Sequence, residues 1–203
     1  MADPVGKWAA GASYGPVLTQ TDLYLLNTDL QLNPILAGQS DFHLVFNLVT
    51  GQTGGFNAES RDRDLPFTAK DEPATLPRVQ ELIIITELTP WCTIVKNENG
   101  VTISDVCTKV WKDYTENYVT DAEFNALPPR LQEQVKRIAL HNQQVGAQGW
   151  NAYYAPAVHP GRYRRVDWFR ERSFFEGLKR EDAYAVAKLG FRAPNIFVMS
   201  VVA

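Results

Sequence analysis

The sequence predicts an α+β fold: a single domain with a mainly antiparallel sheet and two to three helices packed on one face. Three observations carry this. Residues 81–88 (ELIIITEL) form a near-continuous β-branched run, as expected for a strand buried on both faces. Asn99-Gly100 follows the next apolar run (residues 91–96) and marks a hairpin turn, since both residues tolerate positive φ. Residues 104–118 and 130–145 carry apolar stripes at helical spacing.

Each element has its own local reason. Residues 1–31 read as an N-terminal arm, because Gly6, Gly11, Gly15 and two prolines break any early element. Within it, residues 22–32 fit either a short helix or a docked strand. Asn33-Pro34 marks a turn, and residues 32–203 form the domain. Residues 41–50 alternate, with Phe42, Leu44, Phe46 and Leu48 on one strand face. Residues 51–76 are polar and glycine-rich and predict a long loop, with Arg61-Asp62-Arg63-Asp64 as self-compensated charge at its middle. A short strand is expected at residues 101–103. Ser104 is then an N-cap and Asp105 lies in the first helical turn. Thr120 to Glu123 is a capping box opening a short helix, and Pro129 suits the first turn of a third. Residues 146–161 read as an aromatic-rich loop, residues 164–170 as a strand, and residues 195–202 as the last strand.

Composition bounds the class. The chain has 203 residues, 45% hydrophobic and 21% charged, which is ordinary globular usage. No apolar run approaches the ~20 residues of a bilayer span, so no membrane role is expected. No secretion pattern stands at the N-terminus, and a cytoplasmic location is expected. Cys92 and Cys107 belong to no CxxC pair and read as small buried hydrophobes. Residues 1–101 carry 6 Lys+Arg against 12 Asp+Glu, and residues 102–203 carry 14 against 11. The overall net charge of −3 argues against nucleic acid as a partner.

A series of short motifs stands in order along the chain. They are Leu32-Asn33-Pro34-Ile35-Leu36, Glu72-Pro73-Ala74-Thr75 with Pro77, Pro90-Trp91, residues 100–106 (GVTISDV), Leu127-Pro128-Pro129, Arg165-Val166-Asp167 and Phe175-Glu176-Gly177-Leu178. This order resembles a fungal family, best known from mushroom-forming basidiomycetes, that is defined only as a domain of unknown function. The resemblance implies an α+β domain and a fungal source, and it implies no reaction. One departure concerns the first strand, where the family often has Trp-Asp and this chain has Phe46-Asn47.

Candidate chemistry is sparse. His43, His141 and His159 lie at no metal-ligand spacing, and no metal or cofactor is expected. No nucleophile elbow, P-loop or dinucleotide fingerprint occurs. The segment GRYRRVDWFRER (residues 161–172) interleaves five arginines with three aromatics. On a strand, Arg164, Val166, Trp168 and Arg170 would share one face. Guanidinium forks bind carboxylate or phosphate, and aromatic faces stack on planar groups. The bland reading is an Arg–Asp–Glu ladder on a sheet surface. The expected function is an intracellular binding or protein-interaction module for an anionic small molecule or an acidic protein surface. Its candidate residues are Arg162, Arg164, Arg165, Asp167, Trp168, Arg170, His43 and His159. The alternative is a small cofactor-free hydrolase or lyase acting on an anionic or aromatic metabolite, with Tyr153 or Tyr154 in its pocket. Oligomeric state is not legible.

Overall fold

The computed structural model describes residues 7–11, 15–60, 64–147 and 162–203. The main sheet has four strands: β5 (Glu81–Ile85), β6 (Cys92–Lys96), β7 (Phe174–Lys179) and β8 (Ile196–Val202), in the order β6-β5-β8-β7. The pairs β5–β6 and β7–β8 are antiparallel, and the central pair β5–β8 is parallel. The β-branched run of β5 is explained by burial on both faces. Leu82 and Ile84 join Val95, Phe197 and Met199 in the larger core, while Ile83 and Ile85 join Ile196, Val198 and Ala185 in a smaller one.

The larger core is closed by α2 (Ile103–Thr115) through Val106, Cys107, Val110 and Tyr114. The smaller core is closed by α5 (Asp182–Leu189), which the sequence reading leaves unassigned. Its signals are present: Asp182 in the first turn, Lys188 in the last, and Gly190 as a left-handed cap. A short helix, α3 (Asp121–Asn125), and a long one, α4 (Pro129–Ala147), precede the second half of the sheet. α4 packs chiefly on the segment that follows it, residues 165–169.

Several expectations are corrected by local physics. The cap of α2 is Thr102, not Ser104, because Thr102 and Asp105 exchange the two bonds of a capping box. The expected strand at 101–103 is thereby reduced to a single bridge between Pro73 and Thr102. The long loop after residue 50 is not structureless. β2 (His43–Phe46) pairs with β3 (Thr53–Phe56), and β1 (Gln31–Leu32) pairs with β4 (Thr75–Leu76). Gly55 permits the hairpin, since a Cβ there would lie 2.4 Å from the Phe42 ring. Arg61, Asp62 and Arg63 lie outside the described residues. Cys107 is buried as expected, but Cys92 is exposed, because it alternates outward on β6.

The arm contributes to the core. Leu18 pairs with Val79, and α1 (Gln20–Leu26) turns Leu23 inward behind a Thr19–Asp22 capping box. Residues 22–32 thus hold the end of a short helix and then β1.

The motif at Leu32–Leu36 meets the one at Glu72–Thr75 through Asn33. This side chain is wholly buried. Its amide donates to Glu72 Oε2 (3.0 Å) and Pro73 O (3.1 Å), and its Oδ1 accepts the Ile35 N–H at 2.9 Å. The same segment accepts the Ile103 N–H on Glu72 O and donates the Ala74 N–H to Val101 O. Asn33→Ala strands two buried backbone groups and a carboxylate, and is expected to cost about 2–4 kcal/mol in urea unfolding. A loss under about 0.5 kcal/mol, the level of an ordinary surface change, would contradict this role.

Candidate functional site

The segment expected as a strand at 164–170 is a 3-10 turn, Arg165–Phe169. The correction has a physical cause. Val166 and Phe169 are the buried apolar residues, and they are three apart, the period of a 3-10 helix. Asp167 is buried with them. Its Oδ2 accepts the Arg164 N–H at 2.9 Å and its Oδ1 accepts the Asn142 amide of α4 at 2.8 Å. Asp167 is therefore consumed in holding the turn to α4. Burial pushes its carboxyl above the ordinary value, against the Asn142 and Arg164 bonds that lower it.

The turn delivers its aromatics to the sheet edge. Trp168 Nε1 donates to Leu88 O at 3.0 Å, and its ring meets Trp91 edge-on at 5.1 Å. Trp91 Nε1 donates to Glu123 Oε1 at 2.7 Å, and the Arg165 guanidinium lies 4.7 Å over the Trp91 ring. Tyr114 stacks near Phe169 at 4.7 Å and shares a hydrogen bond with Thr89 at 2.9 Å. Burial pushes the Tyr114 hydroxyl up to about 12, so it stays a neutral hydrogen-bonding group. Burial also raises Glu123. The Thr120 N–H, the Trp91 indole and the Arg165 charge outweigh it and hold the carboxyl below its ordinary value.

Above this cluster opens a cleft of about 520 Å³, a size typical of small-ligand sites. Leu88 and Pro90 form one wall, and Leu127, Leu131 and Val135 of the α3–α4 region form the other. Trp168 lies between them, and Glu87, Glu123 and Arg170 supply its charges. The first wall is pinned from the far side of the sheet. Lys188 Nζ donates to the carbonyls of Thr86 and Thr89, and Tyr184 Oη donates to Thr86 O at 3.1 Å. Burial lowers the Lys188 ammonium below the ordinary lysine value.

Arg170 differs from the other arginines. Its φ is +63° and its ψ −120°, a conformation that glycine prefers. Its guanidinium makes one long hydrogen bond, to Gln134 Oε1 at 3.4 Å, and no ion pair among the described residues. Arg162 lies over the Tyr118 ring at 5.7 Å, and Arg164 caps the turn through its backbone. His43 is exposed in the β2–β3 hairpin, stacked on Phe56 at 5.0 Å, and does not line the cleft. His159, Tyr153 and Tyr154 lie outside the described residues. Among the described residues no group of His, Cys, Asp or Glu is arranged to hold a metal ion.

Of the residues that the sequence singles out, Trp168 and Arg170 line this candidate cleft. Glu123 as partner of Trp91, Asn142 as partner of Asp167, and Lys188 as anchor of the wall are not among them. The capping box at Thr120 flagged Glu123 only for its local role. A larger depression of about 870 Å³ runs beside β2 and β3, lined in part by the glycine-rich residues 51–55, with Asp64 as its charged group. Asn47 Oδ1 accepts the Val49 and Thr50 N–H groups at 2.8 and 3.1 Å and so holds the turn after β2.

The raised carboxyl of Asp167 has a pH consequence. Below 3.8, the ordinary value, it is protonated in both folded and unfolded chains. As pH rises further, the unfolded chain releases its proton first, so the folded state loses stability until Asp167 also ionises. Asp167→Asn removes this titration. Urea unfolding at a series of pH values is expected to shift in favour of the variant, relative to the wild type, as pH rises above 3.8. A pH-independent difference would contradict the assignment.

Among the described residues no helix is long and apolar enough to cross a membrane. No curated protein and no solved structure matches the chain. The family DUF6699, described as a family of unknown function, matches residues 44–185. That span runs from within β2 into α5 and contains both walls of the cleft, and the chain belongs to this DUF6699 family.

Proposed function

We propose that the protein is a binding module whose cleft beside Trp168 accepts an apolar group attached to an anion. The observation that carries this reading is Arg170. A non-glycine residue in that conformation costs about 1–3 kcal/mol of backbone strain, and its side chain returns only one long hydrogen bond to the fold. Leu88, Leu127, Leu131 and Trp168 suit an apolar body, and the guanidinium suits a carboxylate or phosphate. An anionic small molecule or an acidic protein segment fits these terms, and the net acidity of the chain disfavours nucleic acid. A fungal, cytoplasmic setting is part of the proposal. It rests on the order of the motifs and on two cysteines outside any CxxC pair.

The hydrolase or lyase alternative draws less support. It needs His43 or His159 beside Arg164 or Asp167, and His159 lies outside the described residues. His43 is stacked on Phe56, and both Asp167 oxygens are occupied within the fold.

Anilinonaphthalene sulfonate, an aromatic body with a sulfonate, is a suitable probe, followed by fluorescence. Arg170→Gly should weaken its binding roughly tenfold to a hundredfold, the worth of one charged hydrogen bond. The same change should raise stability by about 1 kcal/mol by relieving the positive φ. Arg162→Ala should alter neither. Unchanged probe affinity in Arg170→Gly would remove Arg170 as the anion anchor.

A further inference from the structure

α1 displays three consecutive large apolar side chains to solvent: Tyr24 at 85%, Leu25 at 71% and Leu26 at 61% exposure. A surface helix normally turns such residues inward, and a contiguous exposed apolar patch marks an interaction site. The helix is not loose. Leu23 is buried, Leu18 pairs with Val79 on one side, and Asn195 Nδ2 donates to Gln20 Oε1 at 2.8 Å. Among the described residues, nothing covers the patch.

The same chain carries an apolar cleft of matching chemistry. The two cannot meet within one molecule. Asn195, which holds α1, also donates to Glu81 O at the start of β5. The cleft wall begins at Glu87, beyond the end of β5. Five residues of strand separate them by ~17 Å at about 3.3 Å per residue, and α1 is fixed at the wrong end. Asp29, three residues past the patch, is 92% exposed on its side chain. In the isolated chain it pairs with Arg180 at 2.8 Å. It is an anion placed beside an apolar group, the combination that Arg170 and the cleft call for.

We infer that the cleft of one molecule receives α1 of a second copy, with Tyr24, Leu25 and Leu26 against Leu127, Leu131 and Trp168, and Asp29 turned toward Arg170. The inference rests on the cleft reading above and names its occupant. The contact is heterologous, since donor and acceptor surfaces differ, so it propagates head to tail or closes into a ring. One short helix in one cleft is a small interface, below the ~1,200 Å² of stable complexes, so association is weak and concentration-dependent.

Sedimentation equilibrium of the full chain tests this, from about 10 μM to 1 mM, the range expected of such small interfaces. The wild type should rise in mass with concentration. An arm variant (Tyr24→Ser with Leu25→Ser and Leu26→Ser) and a cleft variant (Leu127→Arg) should each stay monomeric. Their equimolar mixture should form a one-to-one dimer, because each retains the surface the other lacks. A synthetic peptide of residues 18–32 should bind the arm variant with a change in tryptophan fluorescence, which keeps the test independent of how well Leu127→Arg folds. A wild type that is monomeric throughout would overturn the inference and leave the patch to a different partner. So would an arm variant that associates like the wild type. If the arm variant still binds anilinonaphthalene sulfonate in that case, the cleft reading stands alone. If no probe binds the cleft in any form of the chain, both readings fall.

Discussion

The site depends on a buried carboxylate. Asp167 is nearly sealed from solvent, and a carboxylate placed there must find donors or lose several kcal/mol. It finds the Arg164 N–H and the Asn142 amide. Those two bonds fix the 3-10 turn and tie it to α4. Everything around the cleft follows. Trp168 is brought to the Leu88 carbonyl, Arg165 is laid over Trp91, and the chain must leave the turn through Arg170 at positive φ. One charged side chain thus sets the floor, the aromatic cluster and the strained cation together.

The sheet supplies the frame on which this turn can act. β5 needs cover on both faces, so α2 and α5 clamp it, and the residues just past its end become a rigid wall. Lys188 and Tyr184 reach that wall from α5. The cleft is therefore anchored from both sides of the sheet. Asn33 performs the matching task at Glu72–Thr75, joining the start of the domain to the strand that precedes β5.

What could be read from the chain was local. The β-branched run, the Asn-Gly turn, the stripes of α2 and α4 and the Thr120 capping box are each decided within a few residues. The candidate site is legible only as composition. Trp168 and Arg170 stand out because arginines and aromatics interleave there, but the strand expected for them is a 3-10 turn. Alternation of Arg164, Val166 and Trp168 imitates a strand, while the burial of Val166 and Phe169 follows a period of three. The partners that decide the matter are distant in sequence: Asn142 for Asp167, Glu123 for Trp91, Thr86 for Lys188. No local pattern encodes such pairs. α5 was missed for a related reason, since it is short and buries mainly Ala185.

The most direct measurement is a map of where an amphipathic anion binds. Backbone amide and indole N–H shifts of the labelled chain, followed by nuclear magnetic resonance during titration with anilinonaphthalene sulfonate, give that map. The Trp168 indole and the amides of Leu127, Leu131 and Arg170 should shift together, at one affinity. Shifts confined to the glycine-rich depression along β2 and β3, with the Trp168 indole unmoved, would contradict it.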